Sequence, residues 1–113
     1  MAKLANREYL PLREDICLDK IPQTPGVYKL AVKTSRGYQC YYTDETDNLR
    51  ESIWALLTSQ VSEISKVTRS LAMHGECFFT LYAISDKVYR TEITKLVTQT
   101  FDPVRMLTVI NCN

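Results

Sequence analysis

Val27-Tyr28-Lys29-Leu30-Ala31-Val32, then Lys33-Thr34-Ser35-Arg36-Gly37, then Tyr38-Gln39-Cys40-Tyr41-Tyr42: this stretch decides the fold. Its two flanks are rich in valine, leucine and tyrosine, residues that suit a pleated, half-buried surface. The link between them is five polar residues with glycine last, the composition of a hairpin loop. Immediately upstream, Pro22-Gln23-Thr24-Pro25 stops any helix and sends the chain out extended. The reading is an antiparallel hairpin, 27–32 paired with 38–42.

Downstream, Thr43-Asp44-Glu45-Thr46-Asp47 reads as a polar loop that offers helix N-caps. Apolar residues then recur with helical spacing at Leu49, Ile53, Leu56 and Leu57, with Trp54 flanking the stripe. A second helical stretch is marked by Val61, Ile64, Val67 and Leu71, and His74-Gly75 stops it. Cys77 to Ile84 is short, aromatic and nearly all apolar, which predicts a buried strand. Ser85 or Asp86 caps a last helix, on which Tyr89, Ile93, Leu96, Val97 and Thr100 share one face, and Asp102-Pro103 ends it. Arg105 to Ile110 is a candidate edge strand. In the lead-in, residues 1–20, Asp15-Ile16-Cys17-Leu18 suits a short strand or one helical turn. The order is hairpin, helix, helix, strand, helix, tail. That predicts a small α/β (α+β) domain, a three-stranded antiparallel sheet flanked by helices.

Size and composition agree with one domain spanning 1–113. The chain is 45% apolar and 24% charged, ordinary values for a globular fold. Fourteen basic residues face 13 acidic ones, a net charge of +1. A dedicated phosphate binder usually carries a clear basic excess, so nucleic acid is the weaker expectation as partner. No segment is long and apolar enough to span a bilayer, and Met1 to Glu8 lacks the apolar core of a signal peptide. A cytoplasmic location follows by default. Cys17, Cys40, Cys77 and Cys112 stand far apart without a Cys-x-x-Cys pair, which favours reduced thiols over zinc or disulfides.

Ile21-Pro22-Gln23-Thr24-Pro25-Gly26-Val27-Tyr28, Asp47-Asn48-Leu49-Arg50, His74-Gly75-Glu76 before an apolar strand, Ser85-Asp86 opening a helix, and Asp102-Pro103 after it occur in an order that resembles the GIY-YIG nuclease family. Within that family the likeness is to the nuclease domain of the bacterial nucleotide-excision repair enzyme. It covers residues 21–107. The resemblance implies phosphodiester chemistry with four parts. Two tyrosines position a water, an arginine on the first helix steadies the phosphate, a glutamate on the last helix holds Mg²⁺ or Mn²⁺, and basic residues grip the backbone.

Carried over position by position, the first tyrosine matches Tyr28, and the second matches Tyr42, or Tyr41 if the loop differs by one residue. The arginine position is occupied by Ser52. Arg50 lies two residues earlier, about 200° around the helix. The metal-glutamate position is Ile93, and Glu92 is turned from it by about 100°. Acidic residues Asp44, Glu45, Asp47 and Glu51 replace the expected lysines, a sign that repels phosphate. The expectation is therefore a catalytically degenerate GIY-YIG-like domain, with no cofactor, that binds a protein. By analogy with small stand-alone relatives it would be a phage or mobile-element inhibitor of a host nucleic-acid enzyme. Asp44, Glu45, Asp47 and Trp54 are the candidate partner-binding residues. The first alternative is a divergent endonuclease using Tyr28, Tyr42, Arg50 and Glu92, with Glu92 holding the metal. The second is a non-cleaving DNA-binding domain with a basic face drawn from Lys29, Lys33, Arg36, Lys87 and Arg90.

Overall fold

A computed structural model describes residues 9–59 and 61–98. The hairpin is present and longer than its apolar core suggests. Strand β2 runs Gly26–Thr34 and β3 runs Gly37–Thr46. The loop is only Ser35-Arg36, because Lys33 and Thr34 still pair, and Gly37 supplies the positive φ of 126° that lets the chain turn. Residues 43–46, expected as a capping loop, complete β3 instead. The acidic side chains there therefore stand on a strand, in register with β2: Glu45 opposite Val27 and Asp44 opposite Tyr28.

The sheet has four strands, not three. Leu10–Pro11 forms a two-residue strand, β1, beside β4 (Cys77–Ala83), and the order is β1-β4-β2-β3, all antiparallel. So short a strand gives no alternating pattern in the sequence, and Pro11 fits only because it sits at an edge. Arg105 to Ile110 lies outside the described residues.

Four helices complete the described chain. Helix α1 (Glu14–Lys20) takes up the segment read as a strand or a single turn. Helix α2 (Leu49–Thr58) starts at Asn48, whose side chain accepts from the Glu51 N–H. Helix α3 (Glu63–Met73) starts at Ser62, which makes a reciprocal cap with Ser65. Val61 consequently lies outside α3 and is 92% exposed, not part of its apolar stripe. His74 and Gly75 end α3 as expected. Gly75 has φ 69°, and the His74 ring Nδ1 bonds the Ser70 carbonyl at 2.8 Å. Helix α4 (Lys87–Thr98) opens on Asp86, whose carboxylate accepts from the Tyr89 N–H.

The two sheet faces are packed unequally. Tyr28, Leu30, Phe79 and the turned-in Tyr41 form the main core with Leu12, Cys17, Ile21, Leu49, Ile53, Leu57 and Val67 from the α1–α3 side. A bulge at Leu30/Ala31 turns Tyr41 inward, where its hydroxyl meets Thr68 Oγ1 at 2.9 Å and Cys77 Sγ at 3.5 Å. On the opposite face a small cluster of Val27, Tyr82 and Ile84 packs against Ile93 of α4. Helix α4 departs from its expected pattern. Ile93 and Val97 are half-buried, Tyr89 and Leu96 are exposed, and the one fully buried side chain is Arg90. Thr100 lies outside the described residues. Cys17 and Cys77 are buried free thiols, and burial pushes both up to about 11.

Candidate functional site

Position 28 of β2 and position 42 of β3 point to the same side, and the structure brings these two tyrosines together with ring centroids 6.2 Å apart. Of the two sequence candidates it is Tyr42, not Tyr41, that stands beside Tyr28. Tyr42 donates its hydroxyl to Asp44 Oδ2 at 3.3 Å. Burial raises the pKa of Tyr28, and the neighbouring Tyr42 and the Asp44 carboxylate add to it. Burial, then the charge of Asp44, pushes Tyr42 up to about 12. The pair thus ends on an anion that keeps both phenols protonated, the reverse of what activating a water beside a phosphate requires.

The two charged catalytic candidates do not join them. Arg50 donates from Nε to the Ile21 carbonyl at 2.7 Å, tying the start of α2 to the end of α1. Ser52, in the expected arginine position, bonds Thr46 through its hydroxyl. Glu92 lies on the exposed side of α4, with its carboxylate 3.7 Å from Lys95 one turn along. Among the described residues, no three His, Cys, Asp or Glu side chains converge as a metal site.

The acidic candidates divide. Glu45, largely buried, and Asp47, itself 83% exposed, both reach Arg90, whose side chain is 2% exposed. The guanidinium donates from Nε to Glu45 Oε1 at 2.9 Å and from Nη2 to Asp47 Oδ1 at 2.7 Å. Its Nη1 donates to the Ser85 carbonyl at 2.8 Å and the Ile84 carbonyl at 3.2 Å. A planar fork of donors suits this job, and a buried guanidinium left without such partners would be costly. Lys87 adds a longer contact to Glu45 at 3.5 Å. The network clamps α4 to the end of β3. Under the DNA-binding alternative, Arg90 belongs to a basic face. Its partners lie 45 and 43 residues away, so no local spacing could reveal them.

Asp44 is different. Among the described residues no cation pairs with it. It also caps the Glu45 N–H at 2.8 Å. With Glu45, Thr91, Thr94, Lys95 and Thr98 it lines a cavity of about 470 Å³ between β3 and α4, and the Thr94 hydroxyl there is enclosed without a hydrogen-bond partner. Trp54 is half-buried against the main core and borders a separate groove of about 200 Å³ with Leu18, Gln23 and Arg50. Asp44 and Trp54 therefore open onto two separate hollows.

Three exposed apolar side chains of α4 escaped the sequence reading as surface features. Val88, Tyr89 and Leu96 are 73%, 49% and 62% exposed. At about 100° per residue they fall within an arc of about 100°, turned away from Arg90 by about 100° to 160°.

No protein-family model matches this chain, and no curated protein is similar to it. Among the described residues no helix is long and apolar enough to cross a membrane.

Proposed function

We propose that this chain is a non-catalytic, GIY-YIG-like domain that acts by binding another protein, as a modulator or inhibitor. The observation that carries the reading is the outward stripe of Val88, Tyr89 and Leu96 on α4, exposed beside Lys87, Glu92 and Lys95. Large apolar side chains exposed among charges, here with Glu92 standing between Val88 and Leu96 on the helix surface, suit a protein-binding face. The scattering of Arg50 and Glu92 away from the tyrosine pair supports the non-catalytic half. Asp44 and Trp54 remain contact candidates at the two hollows. Glu45 and Asp47 serve first to hold Arg90, so lysines there would unclamp α4 before they tested a partner.

The test is site-specific photo-cross-linking in the native host cells, with the reactive group at Val88 or Leu96 and a control at exposed Lys20. One discrete adduct from the α4 positions and none from the control is expected. The same background from all three positions would sink the assignment. A parallel cleavage assay on supercoiled and branched DNA with Mg²⁺ or Mn²⁺ addresses catalysis. Cleavage abolished by both Tyr28→Phe and Glu92→Ala would overturn the non-catalytic reading.

A further inference from the structure

Among the described residues, α4 covers one end of its sheet face and no element covers the other. Residues two apart on a strand share a face, so Lys29 and Lys33 stand beside Val27 on this side. The Lys29 ammonium lies over the Tyr82 ring at 5.7 Å and the Lys33 ammonium over the Tyr38 ring at 6.0 Å. Tyr38 stacks on Tyr9 at 4.8 Å and meets the edge of Phe78 at 5.1 Å. Tyr38 is 41% exposed, and Tyr9 and Phe78 are half-buried beside it. Arg36 sits in the adjoining two-residue turn, exposed. Among the described residues, no carboxylate pairs with Lys29, Lys33 or Arg36.

We propose that this hairpin end binds single-stranded nucleic acid, with Lys29, Lys33 and Arg36 on backbone phosphates and bases stacked against the Tyr9–Tyr38–Phe78 cluster. Cations beside aromatic rings on an open sheet match both halves of a nucleotide, the charged backbone and the π-face of the base. Neither half alone selects this occupant. An acidic peptide would use the cations and leave the rings idle. An anionic membrane surface generally draws on about four to eight clustered cations, more than stand here. Duplex is disfavoured because its bases are stacked on each other, so that no base face is free to meet the Tyr9–Tyr38–Phe78 rings. A cation 6.0 Å from a ring centroid is at the limit of useful attraction, so a base displaces Lys33 from Tyr38 at little cost and frees it for phosphate. The net charge of +1 does not oppose this, because Lys33 and Arg36 lie at the end of the ribbon away from Asp44, Glu45 and Asp47, and Lys29, opposite Thr43, is the one cation of the three near them. The surface is separate from the α4 stripe proposed for a protein partner.

The experiment is fluorescence anisotropy with labelled oligo-dT and oligo-U of about twelve nucleotides at low salt. The wild type, a Lys33→Gln/Arg36→Gln double variant, Tyr38→Leu, and a Val88→Ser/Leu96→Ser control are compared, with circular dichroism to verify folding. Saturable binding to the wild type and the control is expected. The double variant should bind about tenfold more weakly, with its salt slope shallower by about 0.7 for each contact removed. Tyr38→Leu should weaken binding severalfold at an unchanged slope. Absence of binding at low salt overturns the proposal. So does equal binding by the double variant, and so does displacement of the oligonucleotide by polyglutamate or by duplex of the same length at equal concentration.

Discussion

The β2–β3 ribbon has two ends, each carrying like charges, and they do opposite things with them. At the end where β2 begins, Glu45 and Asp47 are spent on a buried arginine, and α4 is anchored through them. Towards the hairpin end, Lys29 midway along β2 and Lys33 near the turn stand over aromatic rings, Arg36 is exposed in the turn, and none has an acidic partner among the described residues. Read as sequence, the acidic cluster was the candidate partner surface, and the lysines were grouped with Arg36, Lys87 and Arg90 as a basic face under the DNA-binding alternative. In the fold the first cluster is largely architecture and the second is free. A charge is available to a ligand only when nothing in the chain already claims it, and that is decided by distant residues.

The strongest way to break this contrast is Arg90→Met. The substitution roughly keeps the volume and removes the guanidinium, leaving Glu45 and the Ile84 and Ser85 carbonyls without their donor. Breaking a buried pair from one side costs about 3–5 kcal/mol. Asp47 is 83% exposed and regains water when released, so a loss near 3 is expected. Urea denaturation measures it. A loss below about 1 kcal/mol would mean that the acidic end is not held by this clamp.

Gly26→Ala probes the same end through packing. Gly26 pairs with Thr46 on one side and Ala83 on the other, and an added Cβ would lie 2.4 Å from the Tyr82 carbonyl oxygen and 2.7 Å from Leu49 Cδ1. Backbone cannot step aside, so a destabilisation of about 2 kcal/mol is expected. Thermal melting that leaves the midpoint unchanged would show that β2 and α2 can separate there freely.

The tyrosine pair gives a pH test between the two ends. Tyr42 titrates near 12 in the fold and near 10 in an unfolded chain. A phenol whose folded pKa is raised contributes stability that is complete below pH about 10 and drains away as pH climbs towards about 12. The wild type should therefore lose stability over that window more steeply than Tyr42→Phe. Parallel curves from alkaline denaturation of the two proteins would remove Tyr42 from the account.

How legible was all this? The helices from Leu49 to Thr98 and the central strand could be read because each shows a local period or a local stop, such as Gly75. The partner of Tyr28 was narrowed by the likeness to Tyr42 or Tyr41, and the bulge that turns Tyr41 inward decides for Tyr42. Three features were not. Strand β1 is too short to show alternation. The extension of β3 through Asp44 and Glu45 runs against strand propensity and is held by pairing to Val27 and Tyr28. The face of α4 inverted because an arginine, ordinarily an exterior residue, fills its buried position and leaves Tyr89 and Leu96 outside. Each failure is a case of tertiary partners overriding a local rule.

The smallest expected effect is the one that sharpens the contrast most. Lys33→Gln and Arg36→Gln, singly or together, should change stability by less than about 0.5 kcal/mol, since exposed side chains without partners rarely contribute more. Set beside Arg90→Met, the comparison is between a cation of α4 that the fold claims and two hairpin cations that it does not. Urea midpoints measured at low and high salt decide it. Flat values at both salts leave the hairpin cations without a structural role and available to phosphate. A clear loss at low salt that vanishes at high salt would mean that these cations relieve the acidic end across the ribbon, and the two ends would then be one electrostatic unit rather than an architectural end and a free one.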